Sequence, residues 1–306
     1  MEYVLKTENI SKVYGNHKVV NRVCMHVEKG AIYGFIGKNG AGKTTFMRMA
    51  GGLAAPTEGT MELFGSTDLE RQRIRIGSLI ENPGAFANMT ARENLEVLRI
   101  QFGVTDRQMA ENLLSFVGLS GTDKKKVKNF SMGMKQRLGI AISLFRNPDF
   151  LILDEPINGL DPEGIIEIRE LLLKLNREKQ ITILISSHIL GELSKIATHY
   201  GIIRNGALIE EFEADELGNR CRRCQKILVD NTGLAANILE EKLHITEFDM
   251  PEQNIIRIFG RLDKTEETNR ALIMGGVNIK ESYLAGQDLE GYFMELLGGG
   301  EDDSFN

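Results

Sequence analysis

The stretch "AIYGFIGKNGAGKTTFMRMAGGL", residues 31–53, limits the fold more than any other in the chain. Its first seven residues are a short apolar run that reads as a buried strand, and "TTFMRMAGGL" reads as a helix. Between them "GKNGAGKT" at 37–44 fits G-x-x-x-x-G-K-[ST], in the strand–loop–helix setting where that spacing has mechanical sense. Gly37, Gly40 and Gly42 let the backbone wrap closely, so that successive N–H groups and the helix N-terminus face phosphate oxygens. Lys43 then reaches the outer phosphates of a nucleotide and Thr44 offers a hydroxyl to Mg²⁺. Lys38, Asn39, Ala41 and Thr45 complete the cradle.

A unit of this kind belongs to a layered α/β domain with a largely parallel sheet. Strand-like and helix-like segments alternate to about residue 212, and "FLILDEP" (150–156) and "ITILISSH" (181–188) are two more runs that read as buried parallel strands. A helical insert is expected at about 84–146. Thr90 with Glu93, and Thr105 with Gln108, both fit a capping box, which predicts helices over about 90–102 and 105–117. After residue 216 the texture changes to β-α-β-β-α-β, the order of a small ferredoxin-like α+β domain, followed by an amphipathic helix in "DLEGYFMELL". The expected division is an ATPase-type domain over 1–216, an accessory domain over 217–297 and a disordered glycine-rich, acidic tail over 298–306.

The second apolar strand ends in two adjacent acids. Asp154 is placed to serve the Mg²⁺ shell, and Glu155 to face an attacking water. Side by side, the two carboxylates repel unless a cation sits there. His188 ends the third strand, where it could donate to a terminal phosphate. In "IGSLIENP" (76–83) a further acid, Glu81, follows an apolar run and precedes a turn. From the octapeptide alone it reads as a solvated turn residue.

Composition removes other classes. Net charge is −6, with basic residues spread along the chain, which gives no electrostatic ground for nucleic acid as partner. No run approaches the roughly 18 apolar residues of a membrane span, and "MEYVLKTENI" lacks the regions of a signal peptide. A cytoplasmic location is expected. Cys24, Cys221 and Cys224 are too few and too uneven for a disulfide framework, and the C-x-x-C pair lacks a second pair of metal ligands.

Taken in order, these motifs resemble the nucleotide-binding subunit of ATP-binding cassette (ABC) transporters over about residues 3–212. "NFSMGMKQRLGIA" (129–141) is similar to the family signature, "NGLDP" (158–162) to its D-loop, and Tyr14 lies where the family places an aromatic under adenine. The resemblance implies ATP and Mg²⁺ as cofactors, and a homodimer or paired ATPase subunit around two ATP. In it the helix N-terminus at Ser131 and Gly133 closes over the partner's terminal phosphate, with Asp161 at the seam. It also implies separate transmembrane permease subunits, which would hold the chain on the inner face of the membrane.

Three departures stand out. The signature reads "FSMGM", with Met132 and Met134 replacing usual residues; Lys38 stands where many members have proline; and Glu81 takes the place of the glutamine of the glutamine loop, which touches the metal. A carboxylate there resembles the ATPase subunits of bacitracin- and lantibiotic-type peptide exporters. The resemblance therefore implies export of, or immunity to, antimicrobial peptides, with Thr44, Glu81 and Asp154 on the metal and Glu155, His188 and Lys43 catalytic. The alternatives are an exporter of another cargo (ion, lipid or drug) and a soluble, non-transport cassette ATPase.

Overall fold

A computed structural model describes residues 2–122, 124–216, 223–285, 292, 293 and 296. The chain divides into two compact units, Met1–Ala214 and Asp215–Asn306.

In the first unit the elements run β1 (Tyr3–Tyr14), β2 (His17–Val23), β3 (His26–Glu28), β4 (Ile32–Ile36), α1 (Lys43–Ala50), β5 (Glu58–Leu63), α2 (Leu69–Arg73) and β6 (Ile76–Leu79). There follow α3 (Ala91–Gln101), α4 (Met109–Phe116), α5 (Met132–Ser143), β7 (Phe150–Asp154), α6 (Pro162–Lys179), β8 (Thr182–Ser187), α7 (Leu190–Leu193), β9 (His199–Arg204) and β10 (Ala207–Glu213). The central sheet has the order β10-β9-β4-β8-β7-β6, parallel except for the β9–β10 pair. The three apolar runs of the sequence become β4, β7 and β8, buried along their whole length, as strands covered on both faces must be.

Register positions the site. Ile36 lies level with Ser187, and Asp154 with Ser186, so β4, β7 and β8 end together and deliver the phosphate loop, the acids and His188 to one edge. That carboxyl edge is where open parallel sheets bind ligands.

A second, antiparallel sheet forms where β1 pairs with β2, β3 and β5. Its apolar face and the central sheet enclose one core with α1, in which Tyr33, Phe35, Phe46 and Met47 are buried. A polar link crosses the layers: the Tyr33 hydroxyl donates to Glu211 Oε1 at 2.6 Å, and the backbone N–H of His26 to the same oxygen at 2.8 Å. Burial first, then the Glu211 carboxylate, hold the Tyr33 phenol well above its ordinary pKa, so it remains a donor.

Helices α3, α4 and α5 form the insert. Thr90 caps α3 as its sequence implies: its hydroxyl accepts from Glu93 N at 3.2 Å while Glu93 Oε2 accepts from Thr90 N at 2.7 Å. The second box does not form. Helix α4 starts at Met109 after Gln108, with no side-chain cap, and Asp106 rather than Thr105 takes the Gln108 N–H at 2.8 Å. A carboxylate two residues ahead of a free N–H closes a tighter ring than a hydroxyl three ahead, and it wins here.

The second unit runs β11 (Cys224–Val229), α8 (Thr232–Glu241), β12 (Phe248–Glu252), β13 (Ile255–Ile258), α9 (Thr265–Met274) and β14 (Ile279–Ala285). Its sheet order, β12-β13-β11-β14, is antiparallel throughout, which is the ferredoxin-like arrangement. Ile227, Val229, Ile256 and Ile258 meet Ala235, Ile238 and Leu272 in a separate core. Of the amphipathic segment 288–297, only Tyr292, Phe293 and Leu296 are among the described residues; Cys221 and the tail at 298–306 lie outside them.

The capping difference is measurable. Thr90→Ala should lower stability by about 1 kcal/mol, whereas Thr105→Ala should change it by less than about 0.5 kcal/mol, both read from urea unfolding.

Candidate functional site

The phosphate loop takes its shape from two glycines in the left-handed region, Gly40 at φ 81° and Gly42 at φ 105°. A side chain at Gly42 would also meet the Val19 carbonyl at 2.6 Å. Helix α1 starts after Gly42 with no side-chain cap, so its first N–H groups open into a pocket of about 170 Å³. Asn39, Gly40, Gly42, Lys43, Thr44 and Glu155 line it; Tyr14, Glu81 and His188 stand outside that lining. The Lys43 ammonium is buried. It donates to Gly37 O at 2.7 Å and Lys38 O at 3.3 Å, and lies 3.4 Å from Glu155 Oε1.

The adjacent acids are kept apart by their hydrogen bonds. Asp154 accepts from Thr44 Oγ1 at 2.7 Å and from Ser186 Oγ at 2.6 Å, and Ser186 Oγ in turn accepts from Glu155 N at 2.8 Å. Glu155 turns away at φ 50°, a left-handed conformation that costs a non-glycine residue of order 1 kcal/mol and sends its side chain elsewhere. Its Oε2 lies 2.7 Å from His188 Nδ1. An ionised carboxylate only accepts, so this contact puts the imidazole proton on Nδ1. Oε1 is buried without a hydrogen-bond partner, facing Lys43. The cation that faces Glu155 is Lys43, on the chain itself, while Asp154 is held by hydroxyls.

Glu81 is not gathered into this group. It follows β6 at φ 65°, and its Oε2 lies 2.7 Å from Arg48 Nη2, on α1. Thr44 and Asp154 come together while Glu81 stands on Arg48, and among the described residues no group of three or more His, Cys, Asp or Glu is gathered to hold a metal. Tyr14 ends β1, is 48% exposed as a residue, and has Lys12 Nζ 4.9 Å from its ring centre.

A second concavity, about 490 Å³, is lined by Ser131, Met132, Gly133, Gly159, Leu160 and Asp161 among others. Ser131 caps α5, accepting from Met134 N at 3.3 Å, and Asp161 caps α6, accepting from Gly164 N at 3.2 Å. Two helix N-termini thus meet at one hollow, whose lining also carries Arg137 against the carboxylates of Asp161, Glu163 and Glu167.

The ABC transporter family profile matches residues 20–158. The chain is 45% identical over 303 residues to the bacitracin transport ATP-binding protein BcrA of Enterococcus faecalis, covering 98% of each chain. The chain belongs to the ATP-binding proteins of ABC transporters. It is 46% identical over 212 residues to the lantibiotic transport ATP-binding protein SrtF of Streptococcus pyogenes, covering 69% of this chain and 92% of that one. Among solved structures it resembles a nucleotide-free ATP-binding cassette from an ABC transporter (28% identity, TM-score 0.63, 72% of this chain and 94% of that chain). A dimeric cassette in a post-hydrolysis state, bound to ADP and phosphate, is similar at 26% identity and TM-score 0.61, over 69% of this chain and 98% of that one. This ABC protein is therefore an ATP-binding, ATP-hydrolysing transporter subunit, with the P-loop cassette fold that its sequence implies.

Sequence reading missed two residues of the site. Ser186 sits inside an apolar strand, where a fully buried hydroxyl must find partners, and it ties both acids to β8. Arg48 gave no signal at all, because its partner lies in a distant loop. Ser186→Ala would leave an Asp154 oxygen and the Glu155 N–H without partners. It should cost about 1–3 kcal/mol in urea unfolding.

Proposed function

We propose that this ABC ATPase pairs with a second ATP-binding chain around two ATP and drives separate membrane subunits in export of, or immunity to, peptides of the bacitracin or lantibiotic type. What carries the reading is Glu155, poised beside the phosphate loop between Lys43 and His188 with one carboxylate oxygen free of hydrogen bonds. The cargo is taken from relatives named for bacitracin and lantibiotic transport.

In this reading the backbone N–H groups of Gly40 to Thr45 and the Lys43 ammonium hold the phosphates, and Lys43 exchanges its loop carbonyls for phosphate oxygens. Thr44 and Asp154 present the hard oxygens that suit Mg²⁺, their contact at 2.7 Å fits a shared ligand shell completed by phosphates and water, and Glu81 would join that shell once its loop leaves α1. Bound Mg²⁺ would neutralise charge on the outer phosphates. Glu155 accepts a proton from the attacking water through Oε1, and His188 holds Oε2 so that Oε1 stays in place. While its Nδ1–H serves Glu155, His188 Nε2 donates to a phosphate only as the imidazolium. Tyr14 offers its exposed ring to the base. Ser131 and Gly133 act on the nucleotide of the paired chain, with Asp161 beside them.

Residues 1–216 form the cassette in this scheme and 217–297 an accessory domain. In this scheme the spanning part belongs to other chains, through which this one rests on the inner face; no helix among the described residues is long and apolar enough to cross a membrane. The loop after Glu81 is suited to that contact. Phe86 is 56% exposed, yet its backbone is fixed by the buried side chain of Asn94, which accepts from Phe86 N at 2.6 Å and donates to Phe86 O at 3.2 Å.

Glu155→Gln keeps the shape of the side chain and removes its basicity. It should retain ATP, lower hydrolysis at least about a hundredfold and accumulate an ATP-bound dimer on a sizing column. Native turnover, or a monomer in the presence of ATP and Mg²⁺, would count against the role. Phe86→Ala should weaken capture of the membrane subunits by more than about 2 kcal/mol while the melting temperature and basal ATPase of the isolated chain stay as in the wild type. A drop in melting temperature would show instead that Phe86 supports this chain's own packing.

A further inference from the structure

Glu81 and Arg48 form an ion pair whose position matters more than its strength. Arg48 follows Thr44 by four residues on α1, so the two side chains share one face of the helix, about 6 Å apart along its axis. Thr44 faces Asp154, at the place suited to Mg²⁺. The carboxylate of Glu81 is therefore held one helical turn from the site where a metal would draw it. Both partners are accessible, with side chains 39% and 53% exposed, so the pair opens at little cost.

The loop is anchored on both sides of Glu81. Ile80 lies against the end of α1, its Cδ1 3.6 Å from where a side chain on Gly51 would begin, and Leu79 and Pro83 crowd Gly139 of α5 at 2.8 Å and 2.9 Å in the same sense. Between these contacts Glu81 stands at φ 65°, and among the described residues its ion pair is with Arg48. Near Asp154 and Glu155 a third carboxylate is repelled unless a divalent cation is present, while on Arg48 it is neutralised at all times.

We propose that Arg48 is a positioning residue that competes with Mg²⁺ for Glu81, and so sets the Mg²⁺ level at which the Glu81 loop leaves α1. The inference rests on the ATP and Mg²⁺ reading above and adds to it a named competitor. Arg48 touches no reacting atom. It acts through Glu81.

The test measures binding of ATP at a series of Mg²⁺ concentrations, on the full chain, for wild type, Arg48→Gln, Glu81→Gln and the double variant. Amide hydrogen exchange over residues 80–84 is followed without nucleotide. Arg48→Gln should lower the Mg²⁺ concentration for half-maximal ATP binding about two- to fivefold and speed exchange in the loop. Arg48→Lys, which keeps the charge, should restore most of the wild-type curve. In the Glu81→Gln background Arg48→Gln should shift nothing. An equal shift in both backgrounds would mean that Arg48 acts on the triphosphate directly, and no shift in either would mean a solvated surface pair; each overturns the proposal while ATP binding stands. Loss of ATP binding in wild type at every Mg²⁺ level would overturn the nucleotide reading together with it.

Discussion

A buried ammonium governs the architecture of the nucleotide site. Lys43 is 5% exposed, and a cation taken out of water without partners costs several kcal/mol. Its partners are two carbonyls of its own loop and the carboxylate of Glu155. The carbonyls face inward only because the loop folds back over α1, which demands the left-handed glycines. Glu155 reaches the lysine only because its backbone leaves the strand conformation at the end of β7. That turn is fixed by Ser186 on the next strand. Loop shape, strained acid and strand register thus answer one electrostatic requirement.

The same requirement explains how two acids end β7 without mutual destabilisation. Asp154 spends both oxygens on hydroxyl donors, whereas Glu155 points to the Lys43 ammonium and an imidazole. Neighbours in sequence, they face different surroundings. An acid fully occupied with hydrogen bonds suits a structural and metal-binding task, and one with an orphan oxygen suits proton transfer.

Much of this was legible in the sequence. Short, unbroken apolar runs that end in glycine, acid or histidine identified β4, β7 and β8, because strands buried on both faces cannot hide among polar residues. The β-α-β-β-α-β order of the second unit was readable from alternating apolar patterns between turn residues. Pairings across the chain were not readable. Thr105 had the spacing of a cap, but Asp106 reached the free N–H by a shorter route. Glu81 had the family position of a metal contact, yet a helical neighbour of Thr44 holds it, through a distance that no local pattern records. The antiparallel sheet of β1, β2, β3 and β5 was likewise missed, since its strands carry mixed polarity and β5 meets β1 from some fifty residues along the chain.

The close seating of α5 has a mechanical result. Gly77 of β6 lies directly beneath the Ser143 carbonyl at one end of the helix, and Gly139 is pressed by Leu79 and Pro83 one turn earlier. With no side chain as a cushion at either point, the helix rides on β6 at backbone distance, and a larger residue at Gly77 would have to lift the Ser143 end of α5 off the sheet.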